Sequence, residues 1–315
     1  MQTFEGARPD PRRPSITLLL GGMGTSLSSE EAASGWIGPF AAHDRLLPYL
    51  RGRGWRGTAA LFSYRGAAVD GAGEVRPFPY ATADTFSRGV AEGVTRLAEQ
   101  LALYLAARPG ATVYLIGHSL GGVIAYGYLA RLAEAGDWTL PEAGRLAAVV
   151  TLDAPLGGVF GDAPVQFTLV KAYLALLHRR RLLRPFDELV GLWRTAAGRE
   201  PFGAFARLAS LVDGGRRPTN QRVAREAREH GVRLLTVGSR HDRAFAPGMH
   251  VRPFPSVQWL ADGGMGSGIY GRVVEHAPDG SRVPHPVESH GAVLHDPRVH
   301  EAVWHFLLGR DPAPL

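Results

Sequence analysis

Ser119 stands in the pentapeptide Gly117-His118-Ser119-Leu120-Gly121. A serine hydroxyl attacks a carbonyl only when it is presented clear of its own backbone. A sharp turn between a strand and a helix does this, holding the serine in strained φ/ψ, and glycines two residues to either side let the two elements pack closely. The helix that follows aims its positive end at the serine, which places the Leu120 N–H to bind a developing oxyanion. His118 is adjacent in sequence, yet its side chain is expected to point away and pack. At its ordinary pKa a serine is a poor nucleophile, so an imidazole must take its proton and a carboxylate must hold that imidazole.

The elements around Ser119 match that requirement. Residues 112–116, Thr-Val-Tyr-Leu-Ile, are an apolar strand running into the pentapeptide, and helical periodicity resumes over 121–135. Upstream, residues 16–20 form a continuous apolar run stopped by Gly21-Gly22, the pattern of a strand buried on both faces. A helix is expected at 40–51, a strand at 58–64 and a Gly- and Pro-rich loop at 65–80. Val90, Val94, Leu97, Leu101 and Leu105 mark a helix over 84–107, closed by Pro109-Gly110. Further strands are expected at 146–152, 232–237 and 257–260, and a last helix at 297–308 with Asp296 as its N-cap and Pro297 in its first turn.

Strands alternating with helices predict the α/β class, a mostly parallel central sheet with helices on both faces. The stretch from Phe160 to His230 breaks the alternation, with helix-like segments and no convincing strand. It reads as an inserted helical cap. The expected organisation is a flexible polar N-terminus at 1–15, a core made of 16–158 and 231–315, and the cap at 159–230. Aromatic and aliphatic cap residues such as Phe167, Tyr173, Phe186 and Trp193 are suited to an apolar acyl pocket that excludes water. Tyr64 and Arg65, at the end of a core strand, are candidates for the cleft wall.

Together these residues resemble the α/β-hydrolase family, specifically lipase/esterase-like members that carry Gly-His-Ser-x-Gly-Gly, over about Thr17 to Leu308. The early first strand resembles the reduced sheet of compact bacterial lipases. The resemblance implies a second oxyanion donor in the loop after the first core strand. There Gly21-Gly22-Met23-Gly24 departs from the family pattern by having Gly21 where His is usual. By position Met23 supplies the donor N–H, with Gly22 as the fallback. The family order of nucleophile, acid, base implies that the base follows the last strand. His290 in Glu288-Ser289-His290-Gly291 fits, with His295 as its nearest rival, while His276, His285 and His300 read as exposed. The acid is Asp242, in a segment similar to the family's Asp-x-x-x-x-Pro; Asp153, in Leu152-Asp153-Ala154-Pro155, is the rival. The implied activity is cleavage of carboxylic esters through an acyl-enzyme. Acyl transfer, thioester cleavage and a non-catalytic binding scaffold are the alternatives.

Composition limits the partners. The 315 residues are 45% hydrophobic and 20% charged, as in an ordinary globular protein. Cysteine is absent, which excludes disulfides, thiolate metal sites and a cysteine nucleophile. The formal charge of +6 is carried almost wholly by arginine, and these residues are spread along the chain, so nucleic acid is not expected as a partner. The expected partner is a small-molecule or lipid-like ester. No cofactor is expected, and no metal, since the histidines from 276 to 300 lack regular ligand spacing. No run of 18 apolar residues and no secretory leader is seen, which favours the cytoplasm slightly over secretion with a leader outside this sequence.

Overall fold

Among the described residues, five strands made of the apolar runs pair into one parallel sheet. The structure, a computed structural model, describes residues 14–22, 24–34, 38–41, 43–87, 89–154, 217–238 and 291–310. Its elements in chain order are β1 (Ser15–Leu20), α1 (Ser29–Ser34), α2 (Leu46–Gly52), β2 (Thr58–Leu61), β3 (Ala67–Val69), β4 (Val75–Pro77), α3 (Asp84–Ser87), α4 (Gly89–Ala107), β5 (Thr112–His118), α5 (Leu120–Ala135), β6 (Arg145–Leu152), α6 (Arg217–Glu229), β7 (Arg233–Val237) and α7 (Pro297–Leu307). The sheet order is β2-β1-β5-β6-β7, with every pairing parallel. In a parallel sheet covered by helices a central strand is buried on both faces. Accordingly every residue of β5 is buried, as are Ile16 to Leu20 of β1.

The helices cover this sheet through their apolar faces. α5 lies against β1, β5 and β6, and α4 packs on α5. α6 also packs on α5, through a face that buries Val223, Ala224 and Ala227. It falls within the 159–230 stretch assigned to the cap; residues 155–216 lie outside the described residues. α7 contacts α2 and β7. There Trp55 donates from Nε1 to Thr17 Oγ1 at 3.0 Å and meets the rings of Tyr114 and Trp304 edge-on. Thr17 and Tyr114 are register partners across β1 and β5, so Trp55 ties the two central strands to α7. Asp296 caps α7 as expected, its side chain accepting from the Arg298 N–H at 2.8 Å.

Three expectations change. Residues 65–80 are not a plain loop, since β3 and β4 form a short antiparallel hairpin in register Ala67↔Pro77. The Asp70 side chain closes its turn by accepting from the N–H groups of Ala72 and Glu74. Three residues per strand are too few for an alternating pattern to declare itself. The helix placed at 40–51 starts only at Leu46, after a separate 3-10 turn at Gly38–Phe40. His300 is buried rather than exposed, because it shares the inward face of α7 with Val299 and Val303. Its ring lies 5.4 Å from that of Tyr49, and Nε2 donates to the Leu294 carbonyl at 2.8 Å. The strand expected at 257–260 lies outside the described residues.

Candidate active site

Ser119 links the last residue of β5 to the first of α5, with φ 55° and ψ −125°. A side-chain-bearing residue rarely adopts such a backbone, and its surroundings must hold it there. Its N–H donates to the Leu152 carbonyl at 2.9 Å, and its carbonyl accepts from the N–H groups of Gly122 and Val123. The flanking glycines are required by close approach. A Cβ on Gly117 would lie 2.5 Å from backbone atoms of Gly121, and one on Gly121 would lie 2.2 Å from the Leu20 carbonyl oxygen. The turn thus wedges into the end of β1, and α5 points its N-terminus at the serine, where the Leu120 N–H is among the groups that no intrahelical carbonyl reaches.

Strand order decides what flanks this serine. β5 pairs Leu20↔Gly117 on one side and His118↔Leu152 on the other. The Gly21-Gly22 segment therefore leaves β1 beside Ser119, and Asp153-Ala154 leaves β6 on its other flank. Gly22 is pressed against Ser119: a Cβ there would lie 2.7 Å from Ser119 Cβ and 3.3 Å from His118 Nδ1. His118 is buried. Asp153 is fully buried with φ 44°, and its N–H donates to the Val237 carbonyl at 2.8 Å.

A set of hydroxyls holds the segment after β1. Tyr64 Oη donates to the Gly21 carbonyl at 2.8 Å. Thr25 Oγ1 donates to the Gly22 carbonyl at 2.8 Å. Because the single Thr25 hydroxyl proton is spent there, Tyr80 Oη donates in the 3.0 Å contact with Thr25. The Gly24 N–H, on a residue with φ 85°, donates to Thr85 Oγ1 at 3.1 Å. Burial pushes the Tyr64 phenol well above its usual range and that of Tyr80 up to about 12, so both hydroxyls keep their protons at neutral pH. Tyr64 is 2% exposed with its hydroxyl committed to the loop, whereas Arg65 beside it is exposed. Beneath them the buried Gln100 side chain accepts from the Ser63 N–H and donates to the Ser63 carbonyl.

Of the site residues read from sequence, Ser119 and Leu120 come together here, with the Gly21 and Gly22 backbone beside them. Met23, Asp242 and His290 lie outside the described residues. His295 pairs through Nδ1 with Asp44 Oδ2 at 2.5 Å, on the loop ahead of α2. The hydrogen bond from His295 is the first cause that holds the Asp44 carboxyl below its usual range. Sequence reasoning missed Thr25, Thr85 and Gln100, which hold backbone rather than present chemistry, and Tyr80, which holds the Thr25 hydroxyl. The one local signal was a hydroxyl residue directly after the glycines, a common turn-forming pattern. Among the described residues, no group of three or more His, Cys, Asp or Glu is placed to hold a metal ion, and no helix is long and apolar enough to cross a membrane.

No protein-family profile and no curated protein matches the sequence. Solved structures similar to this chain include a thermostable carboxyl esterase from Bacillus coagulans, 12% identical over 83% of this chain and 82% of that one, with a TM-score of 0.41. A 2-hydroxy-6-oxo-6-phenylhexa-2,4-dienoate hydrolase from Rhodococcus is 18% identical over 74% and 75%, at 0.35. A lipase-esterase related protein from Clostridium acetobutylicum is 17% identical over 67% and 72%, at 0.31. Likenesses this distant carry no argument about activity. The chain's own geometry carries the fold: with its parallel β2-β1-β5-β6-β7 sheet and a strained serine between β5 and α5, this is a protein of the α/β-hydrolase fold.

Proposed function

We propose that the chain is a serine hydrolase that cleaves carboxylic esters through an acyl-enzyme. The observation that carries this reading is the positive φ of Ser119 at the junction of a buried strand and a helix N-terminus. Nothing in the packing of a plain strand–helix turn calls for a side chain there, since glycine would adopt the same backbone without strain.

In the proposed reaction the Ser119 hydroxyl oxygen bonds to the ester carbonyl carbon as His290 takes its proton. The carbonyl oxygen becomes an oxyanion held by the N–H groups of Met23 and Leu120. Collapse breaks the bond to the alkoxy group, which leaves with the proton from His290. Water then repeats the sequence, and the acid is released. Asp242 holds the imidazole in the required tautomer and stabilises its charged form. Losing one oxyanion donor typically costs about two to three orders of magnitude in rate.

The decisive measurement is turnover of short- and medium-chain p-nitrophenyl esters by Ser119→Ala, together with fluorophosphonate labelling of the unaltered protein. The expected result is loss of roughly three or more orders of magnitude in kcat, and labelling at Ser119. Wild-type turnover in the variant would falsify the mechanism, and a folded protein that takes up no label would instead be a binding scaffold. Product analysis with an added alcohol or amine separates hydrolysis from acyl transfer.

For the acid, a second reading rests on Asp153. Its full burial and φ of 44° beside Ser119 are features that collect at active sites. Asp242→Asn and Asp153→Asn, assayed side by side, assign the acid to whichever variant loses the larger share of kcat.

A further inference from the structure

Ser119 lies against Gly22, so the orientation of the peptides on either side of Gly22 governs whether N–H groups or carbonyl oxygens face a substrate. In a trans peptide the C=O and the following N–H point in opposite directions. A carbonyl committed to a hydroxyl on one side therefore commits the next N–H to the other. The peptide between Gly21 and Gly22 is trans, and no Cβ at either residue restricts rotation of the segment. Restraint has to come from hydrogen bonds: two side chains supply the short ones, and the Thr25 N–H adds a longer one to the Gly22 carbonyl at 3.4 Å. Tyr64 Oη holds the Gly21 carbonyl at 2.8 Å, and Thr25 Oγ1 holds the Gly22 carbonyl at 2.8 Å, itself buttressed by Tyr80.

We propose that Tyr64 and Thr25 are positioning residues for the oxyanion hole, each fixing one carbonyl of the Gly21-Gly22 segment so that its amides stay available to the tetrahedral intermediate. The inference rests on the serine-hydrolase reading above. Neither residue touches the substrate; both act through the backbone. Tyr64 is sealed under the segment, and its phenol, kept protonated by burial, is a permanent donor. Thr25 is half-buried and reaches the next carbonyl from within the same turn. Loss of the Tyr64 hydroxyl removes that bond from the Gly21 carbonyl, and loss of the Thr25 hydroxyl leaves the Gly22 carbonyl with the longer bond from the Thr25 N–H. A peptide can then rotate and turn an acceptor toward a position that needs a donor. Preorganised donors matter more in the transition state than in the ground state, so the cost falls on kcat rather than on KM.

The test is steady-state kinetics of Tyr64→Phe, Thr25→Val and Thr25→Ser on a p-nitrophenyl ester, with inhibition by phenylboronic acid. The tetrahedral adduct of that acid with Ser119 calls on the same donors as the oxyanion. The first two variants are expected to lose roughly three- to tenfold in kcat, the worth of one hydrogen bond, with KM within about twofold. The inhibition constant of the boronic acid rises by the same factor, and Thr25→Ser, which keeps the hydroxyl, returns to near wild type. Melting curves confirm folding, and Thr25→Val with Thr25→Ser carries the test if Tyr64→Phe does not fold. A lower melting temperature with wild-type kcat and inhibition constant would overturn the inference and leave a structural role only. Ser119→Ala, assayed in parallel, separates the two levels. If that variant keeps turnover, the hydrolase reading itself fails; if it is dead while the loop variants are unaffected, only this inference fails.

Discussion

Ser119 holds φ 55° and ψ −125°, a conformation that stores about 1–3 kcal/mol when a side chain is present. Removing the hydroxyl and removing the side chain should therefore have different effects on stability, although both remove the proposed nucleophile. Ser119→Gly relieves the strain and pays a smaller entropic penalty, roughly 0.5–1 kcal/mol. Ser119→Ala keeps the strain. The expected outcome is that Ser119→Gly is more stable than Ser119→Ala by about 1 kcal/mol in urea unfolding, with both inactive. Equal midpoints would mean that the turn is not strained. Ser119 and its glycines were legible because the chemistry demands a short local pattern. Tyr64 was legible as a residue near the site, but its part was not. Its partner, the Gly21 carbonyl, is 43 residues away in the chain.

At the scale of elements, the site depends on β1, β5 and α5 meeting at distances only glycine permits. A Cβ on Gly121 would lie 2.2 Å from the Leu20 carbonyl oxygen and 2.8 Å from that of Gly21, both backbone atoms that no side-chain rotation can move. Gly121→Ala must push α5 away from the end of β1. The expected cost is about 3 kcal/mol or more, the upper range for overpacking, together with loss of activity, since the serine turn and the Gly21-Gly22 segment are displaced as one. Denaturant midpoints and ester turnover measured on the same preparation check both parts. If Gly121→Ala were as stable as the unaltered chain, the close packing described here would be wrong. Most of the sheet and its flanking helices could be read from apolar periodicity, because a buried parallel strand is apolar on both faces and a covering helix on one. The β3–β4 hairpin could not, being too short and too exposed to carry a pattern.

At the scale of the molecule, α7 closes the described structure by packing on α2 and β7, and it buries His300 in doing so. Desolvation is the first cause lowering the His300 pKa below its ordinary 6.5, outweighing the opposing effects of the Leu294 carbonyl, Asp296 and Asp44. The folded state thus favours the neutral ring. At pH values above 6.5 the ring is neutral folded and unfolded, and nothing is lost; as pH falls below 6.5 the unfolded chain binds a proton that the folded one resists, and stability declines. His300→Gln, which can still donate to the Leu294 carbonyl, is expected to flatten this part of the pH–stability curve relative to the unaltered chain. Parallel curves between about pH 7 and pH 5 would refute the assignment. The sequence reading placed His300 on the surface; the face it shares with Val299 and Val303 in the first turns of α7 is what buries it.

What the amino-acid order determined alone is whatever depends on neighbours in the chain. That covers the strand–turn–helix about Ser119, the apolar runs that become β1, β5 and β6, and the capped start of α7. What only the tertiary structure decided is whatever depends on strand order. Placing β5 between β1 and β6 brings Gly22 against Ser119 on one flank and Asp153 onto the other, and pairing β2 with β1 sets Tyr64 beneath the Gly21 carbonyl. Periodicity reports which face of an element is buried, but not which element lies next to it. The hydroxyls that hold the segment after β1, drawn from four separate stretches of chain, could be assigned only once the sheet had put them together.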